Sequence, residues 1–319
     1  MRLEGIIIVA MLLCSCRQKE QELSAFKPTP VKETSLVILG TLQDGGSPHI
    51  GCTKECCKDL FQNPDQSRKV VSLGLIDPQN KTSYLFEATP DISIQMKILK
   101  QFGANEVKET PDGIFVTHAH IGHYSGLMYL GKEAMNTKGI TVYAMPCMKK
   151  FLEENGPWSQ LVSTENILVK ELVAGKSERL TSTITVTPFM VPHRDEYSET
   201  VGYVIQGPTK RALFIPDIDK WEKWERNIVD EINNVDYAFI DATFFDAVEI
   251  NNRDIREIPH PFIIESMKLF ADLPATEKKK IYFIHLNHSN PILNPESKQA
   301  KLVSENGFNI AQIYDVFKM

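Results

Sequence analysis

Three histidines fall within six residues in Ile114-Phe115-Val116-Thr117-His118-Ala119-His120-Ile121-Gly122-His123, and this stretch constrains the chain more than any other. The apolar, β-branched run Ile114–Val116 reads as a strand, and a helical segment over 125–135 follows the histidines. A strand that delivers its last side chains into a tight turn can aim several imidazoles at one point. Imidazole is the commonest protein ligand for zinc and other transition metals. The chain must then fold so that the remaining ligands arrive from elsewhere.

A pass along the sequence finds acidic and imidazole groups at further strand ends. Strands are expected over 36–40, 70–76, 83–88, 140–144, 182–190, 200–206, 211–215, 237–240 and 281–284. Helices are expected over 92–102 (with Asp91 as cap), 148–155, 221–232, 261–270 and 297–306. His118, His193, Asp217, Asp241 and His285 each follow or end one of these strands. Sheets that present sites at strand termini have this arrangement. No internal repeat interrupts 31–319, which reads as two packed sheets with helices outside, in one domain.

Composition sets the partner classes. The net charge is −6, from 35 basic and 41 acidic residues, and no basic cluster stands out, so nucleic acid is not an expected partner. A small-molecule substrate is expected instead, and the oligomeric state is left open. At the N-terminus, Arg2, the apolar run Gly5–Leu13 and Leu13-Cys14-Ser15-Cys16 resemble a bacterial lipoprotein signal. The expected organisation is a signal peptide over 1–15, lipidation at Cys16, a polar tether over 16–34 and a domain over 35–319. The expected location is the cell envelope, facing the periplasm or the exterior, with the membrane reached through the lipid anchor.

The ordered set His118-x-His120-x-x-His123, His193, Asp217, His285 resembles the metallo-β-lactamase fold superfamily. The likeness is closest to the branch containing coenzyme PQQ synthesis protein B and the phosphonate-pathway cyclic phosphodiesterase. Leu39-Gly40 running through Asp44-Gly45-Gly46, Leu85-Phe86-Glu87-Ala88-Thr89-Pro90-Asp91, and His285-Leu286-Asn287-His288-Ser289-Asn290-Pro291 extend it. The resemblance implies an α/β fold, a four-layer αββα sandwich, and zinc as the cofactor, with Mn2+ or Fe2+ as alternatives. It assigns His118, His120 and His193 to one metal, His123 and His285 to a second, and Asp217 to both. Asp217 and His193 are the residues expected to take part in catalysis.

One position departs from the family pattern. An aspartate usually precedes the third histidine of the motif; here the residue is Gly122. A second-site ligand and the usual general base are thereby missing. The alternatives are a mononuclear site, or a second site completed by Tyr124, Asp91 or Asp44. The expectation is a tight first site and a weak second one.

Cys52, Cys56 and Cys57 form the other constellation. The phosphodiesterase branch implies a structural zinc held by three such cysteines and a histidine three residues beyond the last active-site histidine, which here is His288. Cys147 reads as a packed thiol, His260 as a structural residue at a helix start, and Asp241 as a group that orients a ligand. His49 and Trp158 are candidates to line the site, and Asp195 and Glu196 read as an exposed turn. The expected activity is hydrolysis of a phosphoester or other ester by a metal-bound hydroxide. The alternatives are an iron-dependent oxidase or hydroxylase like the PQQ synthesis protein, and a catalytically altered metal-binding lipoprotein.

Overall fold

The computed structural model describes residues 28–103, 108–251 and 253–319. The segment expected to be a lipoprotein signal, Cys14 and Cys16 included, lies outside the described residues. Strands β1 (Ser35–Gly40), β2 (Ser72–Asp77), β3 (Thr82–Phe86), β4 (Gly113–Phe115), β5 (Ile140–Ala144) and β6 (Ile167–Glu171) build the first sheet. Helices α1 (Ile92–Phe102), α2 (Ile121–Tyr124), α3 (Pro146–Glu154) and α4 (Trp158–Ser163) fall between them. The second sheet takes β7 (Glu178–Arg179), β8 (Thr185–Met190), β9 (Val201–Gln206), β10 (Arg211–Ile215), β11 (Tyr237–Asp241), β12 (Ile281–Ile284) and β13 (Asn309–Ile310). Helices α5 (Ile228–Asn233), α6 (Ile263–Leu269), α7 (Ala275–Lys278) and α8 (Lys298–Glu305) accompany it, and β14 (Val316–Lys318) returns to the first sheet beside β1.

Alternation along each strand divides the apolar residues among three cores. Leu36 and Ile38 of β1 face Phe86, Phe115, Tyr203, Phe214 and Phe239 between the sheets. Val37 and Leu39 point the other way, onto Ile92, Met96 and Leu99 of α1. On the far side Leu213, Ile215 and Ile240 pack under α5, α6 and α8. This is the expected αββα sandwich, with period-two strands serving two cores at once. Between the sheets, Phe115 stacks on Tyr143 at 4.2 Å and on Phe86 at 4.9 Å, with Tyr203 edge-on.

The strands that feed the site run alike. β3, β4 and β5 are parallel, β1 and β3 both run antiparallel to β2, and β10, β11 and β12 are parallel to one another. Their C-terminal ends therefore meet along one edge of the sandwich. Two bonds join the sheets just below that edge: Tyr203 donates from its hydroxyl to Val116 O (2.6 Å), and Val201 N donates to Thr117 O (3.2 Å).

Some elements differ from expectation. The segment after the histidine turn is a 3-10 helix over Ser125–Leu130, ended by Gly131 in extended conformation, rather than a helix to 135. The helix expected over 221–232 is two pieces, a 3-10 turn at Trp221–Lys223 and α5, whose start is set by Asn227 accepting from Val229 N. β6 and α4 were not anticipated. β6 alternates only weakly, with Leu168 exposed on a strand that forms the sheet edge. Cys147 is exposed, not packed; its amide sits at the start of α3 and donates to the Glu199 carboxylate.

Candidate metal centre

Most side chains of the site arrive from the ends of strands. His118 and His120 follow β4, and His123 lies on α2, one turn further on. His193 follows β8, Asp217 follows β10, Asp241 ends β11 and His285 follows β12. Asp44 comes from the segment after β1, which pairs with the chain beside Leu286.

These groups converge on one carboxylate oxygen. Asp217 Oδ2 lies 3.2 Å from His193 Nε2, 3.5 Å from His118 Nε2 and 3.8 Å from His123 Nε2. His193 Nε2 is also 3.3 Å from His120 Nδ1. On the other side, Asp44 Oδ1 is 2.9 Å from His123 Nε2 and 3.4 Å from His285 Nε2. Two four-donor sets result, His118/His120/His193/Asp217 and Asp44/His123/Asp217/His285, with all donor atoms of each set within 4.8 Å.

Behind the donors, the second nitrogen of each imidazole faces an oxygen. His118 Nδ1 meets the Thr117 hydroxyl at 2.9 Å and His285 Nδ1 the Thr243 hydroxyl at 2.9 Å. His193 Nδ1 faces Asp219 Oδ1 at 3.3 Å, His120 Nε2 faces Glu196 Oε2 at 3.1 Å, and His123 Nδ1 faces Glu87 Oε1 at 3.4 Å. Hydrogen-bonded partners such as the first four fix the tautomer and ring orientation of metal-ligating histidines, whereas the Glu87 contact is an ion-pair approach without a hydrogen bond. Glu87 and His285 both hold positive φ, +76° and +64°. Backbone in that region costs about 1 kcal/mol or more per residue and is retained where the surroundings impose it.

The electrostatics fit cations. Burial pushes the His118 and His120 imidazoles down. For His123, burial is outweighed by Asp44 and Glu87, which hold its pKa well above the usual imidazole range. His285 is raised to about 9, Asp217 and Asp241 overcoming the effect of burial. Asp44 and Asp217 are held well below the usual carboxylate range against burial, by His123 and by His260 and His193 respectively. His118 Nε2 and Asp217 Oδ1 are buried with no hydrogen-bond partner. Buried polar atoms of this kind call for an ion or a water, and imidazoles around a single carboxylate oxygen are a donor set that transition metals accept.

His260 belongs to this centre, contrary to its structural reading from sequence. Its Nδ1 is 2.9 Å from Asp241 Oδ2 and 3.2 Å from Asp217 Oδ1. The signal was hidden because His260 reaches the site from a loop before α6, between two prolines, and not from a strand end. Asp217, Asp241, His260 and His285 also form a close set. Within it His260 Nδ1 meets Asp241 Oδ2 and His285 Nδ1 meets the Thr243 hydroxyl, so we read it as a hydrogen-bonded support. Asp241 further accepts from Ile218 N and from Thr243, which pins the chain after β10.

The cysteine cluster is separate. Cys52, Cys56, Cys57 and His288 place their donor atoms within 4.8 Å of one another. Cys52 Sγ and Cys56 Sγ are 3.6 Å apart, and His49 N lies 3.3 Å from Cys57 Sγ. His49 stacks on His288 at 4.5 Å, so it supports the cysteines and does not line the active site. Burial, with His49 and Lys54, lowers the His288 pKa to about 4, and burial with Cys52 raises the Cys56 thiol to about 12. Neutral imidazole and crowded sulfurs fit a closed tetrahedral zinc, which would relieve their repulsion. Trp158 packs with Tyr124 and Phe151, away from the donors. Glu196 does reach the site through His120, while Asp195 is taken up by the Thr200 hydroxyl (2.7 Å).

Comparison with known proteins agrees with this geometry. Coenzyme PQQ synthesis protein B of Methylorubrum extorquens (strain PA1) is 22% identical over 302 residues, covering 86% of this chain and 97% of the relative. The Methylorubrum populi protein of the same name is 24% identical over 306 residues, covering 86% and 97%. Among solved structures, Zn(2+)-bound PqqB from Methylobacterium extorquens superposes with a TM-score of 0.73 at 20% identity, covering 89% of this chain and all of that one. A diphosphatase from the PhnP family gives 0.62 at 19% identity, covering 89% and 96%. The family model described as a β-lactamase superfamily domain matches residues 82–286, which include every donor of both active-site sets except Asp44. The chain belongs to the β-lactamase superfamily and has the metallo-β-lactamase fold.

Proposed function

We propose that this protein is a metal-dependent hydrolase of a phosphoester or other ester, working at a paired metal centre. The observation that carries the reading is the position of Asp217 Oδ2, shared by two four-donor sets. Metal ions held there would polarise the electrophilic centre and acidify a water. The chain's part is to aim His118, His120, His193, His123 and His285 at the ions, through the oxygens at their far nitrogens. Zinc is the favoured ion, with Mn2+ an acceptable alternative for an imidazole and carboxylate site.

His260 is placed to hold a proton near the reacting group. Asp241 fixes its Nδ1, which leaves Nε2 to exchange a proton with a leaving group. Asp241 and Asp217 raise its pKa well above the usual imidazole range in spite of burial. His260→Gln is expected to lower kcat about a hundredfold while metal content is kept, and to remove the alkaline limb of the pH–rate profile. Unchanged kcat, or loss of metal instead of turnover, would argue against this role.

A second reading rests on the curated relatives, named for coenzyme PQQ synthesis. It is an oxidase or hydroxylase using Fe2+ on the same donors. A screen of phosphodiesters, diphosphates and carboxyl esters, run with and without oxygen, separates the two. Hydrolysis without oxygen supports the first, and turnover confined to Fe2+ with oxygen supports the second. The third reading, a metal-binding lipoprotein that has lost catalysis, is disfavoured by Asp44 occupying the region that Gly122 leaves open.

We further propose that Cys52, Cys56, Cys57 and His288 hold a structural zinc, and that the protein is anchored to the cell envelope through Cys16. No helix among the described residues is long and apolar enough to cross a membrane; the anchor reading rests on Leu13-Cys14-Ser15-Cys16. Cys16→Ser is expected to move the protein from the membrane fraction to the soluble one. Retention in the membrane fraction would exclude a lipid at that residue.

A further inference from the structure

We propose that Asp44 supplies the carboxylate that the histidine motif lacks at Gly122, and that it reaches the second metal position only because residue 122 has no side chain. The inference rests on the paired-metal reading above.

The space beyond Gly122 is filled. A Cβ built there would lie 2.5 Å from Asp44 Cα, 2.7 Å from its Cβ and 2.6 Å from its carboxyl carbon. Contacts that short do not occur, so any side chain at 122 would exclude the Asp44 segment as it now runs. The carboxylate is thus supplied from a different part of the chain to the same place. Asp44 Oδ1 then faces His123 Nε2 and His285 Nε2, at 2.9 and 3.4 Å.

The other two residues open from sequence are occupied elsewhere. Asp91 Oδ2 accepts from Val70 N at 2.8 Å. The Tyr124 ring packs against Trp158 at 4.8 Å and Phe151 at 5.3 Å, within the outer apolar core. Asp44, by contrast, is held toward the donors by its own backbone. Gln43 N donates to Leu286 O at 2.9 Å, beside the ligand His285, and Gly46 N closes a turn on Gln43 O at 2.8 Å. Leu42 bridges to both Val70 and Leu286, so the segment carrying Asp44 spans the two sheets at the site. The sequence left Tyr124, Asp91 and Asp44 open to complete a weak second site, and of these Asp44 is the one that faces His123 and His285.

Manganese titration of full-length protein stripped of active-site metal, with zinc restored to the cysteine cluster, tests this without relying on turnover. Mn2+ prefers imidazole and carboxylate to thiolate, so it counts the active-site positions and leaves the cysteine cluster aside. The unaltered protein is expected to take up about two ions with the spin-coupled paramagnetic resonance spectrum of a metal pair. Asp44→Asn, near-isosteric, is expected to keep the first ion and to bind the second about a hundredfold more weakly, leaving an uncoupled spectrum. Gly122→Ala should give the same loss, because its methyl displaces the Asp44 backbone. Circular dichroism of each metal-free variant confirms that the fold persists.

Retention of the coupled pair by Asp44→Asn would overturn the proposal, as would its loss of both ions, or uptake of a single ion by the unaltered protein. If the pair forms and depends on Asp44 but no ester is hydrolysed, the functional reading fails and this assignment stands.

Discussion

Asp217→Asn is expected to reduce ester turnover about a thousandfold or more and to remove the metal pair, the largest effect of any single change at the site. Asp217 is buried, and one of its oxygens lies within 3.8 Å of three imidazole nitrogens belonging to both donor sets. The amide keeps the shape and removes the negative charge, so the same oxygen position no longer offsets two dications. Metal analysis and steady-state kinetics on one preparation check the outcome. Activity within tenfold of the unaltered protein would contradict it.

The same change has a pH signature in the metal-free protein. His285 has a folded pKa of about 9 against an ordinary 6.5, with Asp217 foremost in opposing the effect of burial. A raised imidazole pKa contributes stability that is complete below about 6.5 and is lost as pH rises through about 9. Asp217→Asn should therefore destabilise the metal-free protein most on the acid side of neutrality, and less as the pH approaches 9. Denaturant midpoints across that range give the comparison.

Cys57→Ser is expected to have the second largest effect, through the cysteine cluster. Cys57 is fully buried and its sulfur meets the His49 amide at 3.3 Å. Loss of one thiolate from a closed tetrahedral site should weaken zinc there by about a hundredfold or more, since hydroxyl is a poor substitute for thiolate. The protein should be purified with about one zinc fewer. The segment from Asp44 to Arg68 should become more open to proteolysis. Because Asp44 shares that segment, binding of the second active-site ion should weaken also. Unaltered zinc content would remove the cluster from the account.

How far the sequence could be read follows from how each residue reaches the site. His118, His120, His123, His193, Asp217 and His285 were legible because they stand beside apolar strands and regular strand ends converge in two-sheet sandwiches. The grouping of the cysteines with His288 was legible only through the resemblance to the phosphodiesterase branch. Asp44, Glu87 and His260 needed the fold. Asp44 enters from a glycine-rich loop 79 residues before its partner His123, and no local pattern links the two. Glu87 faces His123 only because β3 lies beside β4. His260 sits between prolines in a loop, so periodicity carries no information about its direction. The secondary-structure differences are local in the same way, since Gly131 and Asn227 reset helices that hydrophobic spacing alone would continue.

The most direct test of the paired-centre hydrolase is a titration with Zn2+ or Mn2+ of protein stripped of its active-site metal but holding zinc at the cysteines, following anaerobic phosphodiester or ester hydrolysis at each addition. With the cysteine cluster already filled, the account predicts that turnover rises chiefly as the second active-site equivalent binds. Turnover complete at the first equivalent, or appearing only with Fe2+ and oxygen, would contradict it.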